Sequence, residues 1–218
     1  MRLVVAAAAA DAAAAFILAQ LSGRERFDIA LSGGKSPWAM VERLFAAAFD
    51  ASFDTTRLHV WQVDERVAPA GHEDRNWTEL RPRIPQGVHL HPIPVDAAAD
   101  PTGLAAAEAY RREVAGRVFD VVHLGLGDDG HTASLFPGDP ALHVRDRDVV
   151  ATGPRLGWPR VTLTYPVLRR AAAVVFLVTG AGKKERLKQL LAGDRTIPAG
   201  QLGDHPAVTI FADPAAAG

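Results

Sequence analysis

The chain has 218 residues, no cysteine, and 24 basic against 25 acidic side chains, a formal charge of −1. The lack of cysteine excludes a disulfide framework, a thiolate metal site and a cysteine nucleophile. The near-zero charge argues against a general nucleic-acid binder, which carries a basic domain or stripe. With 48% apolar and 22% charged residues, the composition is that of a globular chain, long enough to bury about 70% of its unfolded surface.

The first 23 residues begin with Arg2, run apolar to Ala10 and offer Ala-x-Ala sites in the manner of a signal peptide. Asp11 interrupts that run, so a strand at 3–5 and an amphipathic helix at 12–21, stopped by Ser22-Gly23, are expected instead. No apolar run approaches the ~20 residues that span a membrane. A second strand at 27–31 leads into Ser32-Gly33-Gly34-Lys35-Ser36-Pro37 and a helix at 38–48, with Pro37 suited to its first turn. A third strand at 58–63 ends in Asp64-Glu65-Arg66, followed by a polar, Pro-rich stretch to about residue 101. A helix at 104–114 and a strand at 118–124 enter Gly125–Gly130, after which 132–136 allows at most one helical turn before Pro137-Gly138. Strands at 149–152 and 161–164, a short helix at 166–170, a strand at 172–179, a helix at 183–191 and a last strand at 208–212 complete the chain. Short apolar strands alternating with helices predict an α/β fold of the doubly wound kind. Its mostly parallel sheet is covered by helices on both faces in a Rossmann-like three-layer architecture. No linker, charge run or repeat divides the chain, so residues 1–218 are expected to form one domain.

Ligands of such sheets bind at the carboxyl ends of the strands, and the unusual sequences lie there. Gly34-Lys35-Ser36 imitates the end of a P-loop, but the glycine required five residues earlier is Ile29. What remains is a Gly-Gly turn opening a helix, where backbone N–H groups and Ser36 and Lys35 can hold an anion. The plain alternative is a strand-to-helix turn with Ser36 as N-cap. Gly125-Leu126-Gly127-Asp128-Asp129-Gly130 matches G-x-G-x-x-G, yet two aspartates would face a pyrophosphate and no full helix follows, which disfavours a dinucleotide. The same loop can present His131 as a general base steered by Asp129; a capping aspartate beside a surface histidine is the bland alternative. Asp64-Glu65-Arg66 is either a solvated turn or a carboxylate–guanidinium pair for a polyhydroxy anionic ligand, to which Asn76 adds an amide. Arg160 and Lys183 are further cations beside strand or helix starts. The histidines show no metal spacing, with His89 and His91 in the Pro-rich stretch. Ser134 lacks the G-x-S-x-G turn of a serine hydrolase.

The run Gly125-Leu126-Gly127-Asp128-Asp129-Gly130-His131-Thr132-Ala133-Ser134-Leu135-Phe136-Pro137-Gly138 resembles the signature loop of the 6-phosphogluconolactonases. Leu31-Ser32-Gly33-Gly34 with Ser36-Pro37 resembles that family's phosphate loop, in which Lys35 stands where a small polar residue is expected. Asp64-Glu65-Arg66 with Asn76, Arg160 to Thr164 with Pro166 and Leu168, and Gly180 to Lys183 resemble its remaining motifs. The resemblance spans essentially the whole chain. It implies hydrolysis of 6-phospho-D-glucono-1,5-lactone to 6-phosphogluconate in the oxidative pentose phosphate pathway, without cofactor or metal. It also implies a cytoplasmic protein, monomeric or a small homo-oligomer, whose partner is the sugar phosphate lactone rather than nucleic acid or membrane. On this resemblance His131 and Asp129 are catalytic, and Gly33, Gly34, Lys35, Ser36, Asp64, Arg66, Asn76, Arg160 and Lys183 bind substrate. The glucosamine-6-phosphate deaminases of the wider superfamily share these loops, but their Gly-His segment continues into an Asn-Glu pair. The corresponding stretch is Leu135-Phe136, which favours the lactonase over the deaminase; a non-catalytic sugar-phosphate sensor is disfavoured because it need not keep Asp129 and His131.

Overall fold

A computed structural model describes residues 1–50 and 54–218. Along the chain it holds β1 (Arg2–Val5), α1 (Ala9–Leu21), β2 (Phe27–Leu31), α2 (Lys35–Asp50), β3 (Leu58–Gln62), β4 (Asp64–Arg66), α3 (Asn76–Leu80) and β5 (His89–His91). There follow α4 (Leu104–Val114), β6 (Val121–Leu124), β7 (Val149–Arg155), β8 (Trp158–Leu163), α5 (Tyr165–Arg169), β9 (Ala173–Val178), α6 (Lys184–Leu191), β10 (Val208–Ala212) and α7 (Pro214–Ala217).

Seven strands form one parallel sheet in the order β1-β10-β9-β6-β2-β3-β5. The central strands β2, β6 and β9 are buried almost throughout and, apart from Asp28 and His123, apolar, because both faces are covered. Their side chains alternate between two cores, as the period of two requires. Ile29, Leu31, Val121, Val175, Leu177 and Phe211 face α1 and α2. Ala30, Val122, Leu124, Val174, Phe176, Val178 and Ile210 face the other way, with residues of α4, β8, α5 and α6. Each such fully buried Leu, Val or Phe contributes about 1.5–3 kcal/mol relative to exposure. This is the expected three-layer α/β arrangement. No helix among the described residues is long and apolar enough to cross a membrane.

The chain lays β3 and then β5 on one side of β2, and later returns to pair β6 with its other side, Leu31 beside His123. Strand order therefore reverses between β2 and β6. A doubly wound sheet opens a crevice at the carboxyl ends of such a pair, and the loops starting at Ser32 and Gly125 flank it.

Four expectations are corrected. Residues 149–155 and 158–163 do not join the parallel sheet but form an antiparallel hairpin, with β4 on the far side of β8. Asp64–Arg66 is therefore a strand, with Glu65 opposite Val161, and not a solvated turn. His89–His91 is no loop but the short edge strand beside β3. Helix α2 starts at Lys35, two residues before Pro37, so Ser36 lies inside the first turn instead of capping it.

Candidate active site

A cleft of about 270 Å³ opens at the switch point and is bounded by the segments that follow β2, β6 and β9, with β4, β8 and the start of α3 on the remaining side. Nine predicted site residues line it: Gly33, Gly34, Ser36, Asp64, Arg66, Asn76, His131, Arg160 and Lys183. Asp129 stands directly behind His131. The side chain of Lys35 lies outside the described residues, although its backbone opens α2.

The loop after β6 forms no helix. Gly127 N–H donates to the carbonyl of His131 (2.8 Å), Gly130 N–H to that of Gly127 (3.0 Å) and Leu135 N–H to that of Thr132 (3.0 Å), closing a chain of tight turns. The imidazole of His131 folds back against Gly127, where a β-carbon would come within 2.0 Å of Nδ1. Only glycine leaves that space. Asp129 Oδ1 accepts from the His131 backbone N–H (3.0 Å) and lies 2.5 Å from Nδ1. Burial pushes the Asp129 carboxyl up, but these bonds outweigh it and hold the group below its ordinary value. A carboxylate only accepts, so Nδ1 carries a proton and Nε2 is the ring nitrogen left for base chemistry. The ring is further fixed by stacking on Phe136, centroids 4.2 Å apart.

On the opposite wall, Asp64 Oδ2 accepts from Ser134 Oγ (2.6 Å), and Asn76 Nδ2 donates to the Asp64 carbonyl (2.9 Å). Asn76 in turn abuts Gly33, where a β-carbon would lie 1.9 Å from Oδ1, so the loop after β2 and the start of α3 are mutually shaped. Arg160 is only 4% exposed. Burial lowers its pKa while nearby Asp64 raises it, and a guanidinium stays charged under such a perturbation. Its guanidinium lies 5.3 Å from the Phe136 ring centre. Arg66 donates from Nη1 to the Asp74 carbonyl. Its buried Nε has no partner among the described residues, a donor whose desolvation is not offset in the free protein. Lys183 Nζ reaches Asp128 Oδ1 at 2.5 Å, an ion pair at the rim in which Asp128 is 85% exposed.

Sequence reasoning expected Lys183 to open a helix and Arg160 to precede a strand; they end a 3₁₀ turn and lie within β8 respectively. It missed Thr179, which lines the cleft at the end of β9 and bonds Ser36 Oγ through Oγ1 (2.6 Å). The available signal was its position directly after an apolar strand. It also missed Ser134 as a partner of Asp64, which no local spacing reveals across 70 residues.

Chemically, the cleft combines an oriented imidazole, three cations beside the carboxylates of Asp64 and Asp128, and backbone N–H groups at the start of α2. That set suits an anionic, oxygen-rich ligand with an electrophilic carbon near His131.

The comparisons agree with this chemistry. The family model described as glucosamine-6-phosphate isomerases/6-phosphogluconolactonase matches residues 2–211. A 6-phosphogluconolactonase of Synechocystis sp. is 40% identical over 187 residues, covering 79% of this chain and 74% of that protein. A 6-phosphogluconolactonase of Rattus norvegicus is 37% identical over 210 residues, covering 89% and 80%. The structure of 6-phosphogluconolactonase from Trypanosoma cruzi superposes with a TM-score of 0.88 at 27% identity, covering 99% of this chain and 95% of that one. With every wall of the cleft inside the matched residues, the chain belongs to the glucosamine-6-phosphate isomerase/6-phosphogluconolactonase family.

Proposed function

We propose that the protein is a 6-phosphogluconolactonase, hydrolysing 6-phospho-D-glucono-1,5-lactone to 6-phospho-D-gluconate in the pentose phosphate pathway, with residues 1–218 acting as one sugar-phosphate-binding hydrolase domain. The observation that carries this is the His131–Asp129 pair, 2.5 Å apart, set in a cleft lined by Arg66, Arg160 and Lys183.

His131 Nε2 takes a proton from a water whose oxygen attacks the lactone carbonyl. The tetrahedral intermediate then expels the ring oxygen, which takes the proton back from the imidazolium. One C–O bond forms, one breaks, and the proton returns, so no other reactant is consumed. Asp129 holds the ring in the required tautomer and stabilises its charged form. Arg66, whose buried Nε has no partner among the described residues, steadies the developing oxyanion. The phosphate is met by the Gly33–Gly34 turn, Ser36, Arg160 and Lys183.

The deaminase reading needs a second carboxylate beyond the histidine. Leu135 is fully buried and Phe136 stacks on the imidazole, and Asp129 is the one carboxylate that bonds His131 among the described residues. Two assays separate the readings: acid release from freshly generated 6-phosphogluconolactone, and ammonia release from glucosamine 6-phosphate. The proposal predicts the first and not the second. Ammonia without lactone hydrolysis would reverse it.

A further inference from the structure

Asp64 and Arg66 project from β4 into the cleft, and Glu65 between them projects the other way. Glu65 is 0% exposed, and burial raises its pKa against the pull of its hydrogen bonds. A carboxylate in such a place is costly unless its lone pairs are filled. They are. Oε1 accepts from the backbone N–H of Arg66 (2.8 Å) and of Asn76 (2.8 Å). Oε2 accepts from Trp77 N–H (2.8 Å) and Gln62 Nε2 (2.9 Å). Arg75 Nε stands 3.8 Å away with its side chain 9% exposed.

Two of these donors, Arg66 and Asn76, line the cleft from different elements, β4 and α3. Asn76 and Trp77 are the first residues of α3, whose preceding residue Arg75 makes no side-chain cap. Glu65 supplies that cap from 11 residues upstream. Through Asn76 it reaches the Asp64 carbonyl and the close approach to Gly33. Gln62, its fourth donor, accepts from Ile93 N–H (2.9 Å) and so ties the group to the chain beyond β5.

We propose that Glu65 is a positioning residue of the active site, its buried carboxylate locking Arg66 and Asn76, and through Asn76 the Gly33 turn, into one substrate-ready pose. This rests on the lactonase reading of the cleft. Glu65→Gln is the direct probe, because either amide orientation turns an NH₂ group toward two donors. Misplacing a positioning group by about 1 Å costs up to 10²-fold. E65Q is therefore expected to raise both KM for the lactone and Kd for 6-phosphogluconate, read by calorimetry, by about tenfold or more. His131→Ala should instead lower kcat and leave that Kd unchanged. Glu65→Asp keeps the charge and should recover part of the lost affinity. E65Q folded with wild-type KM and Kd would overturn the proposal. Failure of both E65Q and E65D to fold would assign Glu65 to stability alone and overturn it equally. Wild-type protein without lactonase activity would sink the lactonase reading before either variant is made.

Discussion

His131 is 29% exposed in its side chain and bonded to a carboxylate whose own charge is stabilised, so its proton traffic is arranged before substrate arrives. A positioned general base contributes about 10²–10⁴-fold. His131→Ala should lower kcat by that factor without unfolding the protein, as near-native melting would show. Asp129→Asn should cost kcat in the same range, because the amide can donate to Nδ1 and favour the wrong tautomer. Full activity in either variant would remove that residue from the mechanism. Lys183 has a different role. Losing a charge-assisted bond to the phosphate costs about 1.5–3 kcal/mol, so Lys183→Ala should raise KM for the phosphorylated lactone about 10- to 10²-fold. Hydrolysis of the unphosphorylated lactone is the control and should barely change. An unaltered KM would refute the phosphate assignment of Lys183.

The elements hold these residues by close approach as well as by burial. Gly33→Ala sets a methyl 1.9 Å from the Asn76 amide oxygen, so either the loop after β2 or α3 must move. A displacement of about 1 Å at a positioning group costs up to 10²-fold in kcat/KM, and steady-state kinetics with a matched melting curve will read it. Much of this architecture was legible. Strands β2, β6, β9 and β10 were visible as short apolar runs, and the glycine and acidic loops after them mark the carboxyl ends where the cleft lies. What escaped is what local pattern does not encode. Asp64–Arg66 is a strand only because Val161, far along the chain, pairs with it. His89-Leu90-His91 is too short and polar to announce an edge strand. Ser134 finds Asp64 only after β8 has brought the two segments together. The alternative of Ser36 as a cap fails because α2 begins one residue earlier than it, and its hydroxyl partners Thr179 instead.

The whole molecule combines a net charge of −1 with unevenly placed charge, cations at the cleft and neutral histidines in the body. His123 is fully buried with neither ring nitrogen partnered among the described residues, and burial lowers its pKa to about 3. His91 stacks on Trp61 at 3.7 Å. Burial first, then His59 and Arg117, lower its pKa to about 4. An unfolded histidine titrates near pKa ~6.5, so below that pH the unfolded chain binds more protons and stability falls with pH. Between pH 7 and pH 5 each of these two histidines should withdraw about 2 kcal/mol, a loss continuing to about pH 4 for His91. Urea unfolding at several pH values will show it, and a flat profile from pH 7 to 5 would mean that neither ring is held neutral. For function, the decisive measurement is the initial rate of acid release from freshly generated 6-phosphogluconolactone. It is followed by pH-stat at neutral pH against spontaneous ring opening, with wild-type protein and His131→Ala side by side. The expected result is a wild-type rate far above background and a variant rate lower by about 10²–10⁴-fold. Folded wild-type protein that does not exceed the spontaneous rate, or a variant that matches wild type, would contradict the account.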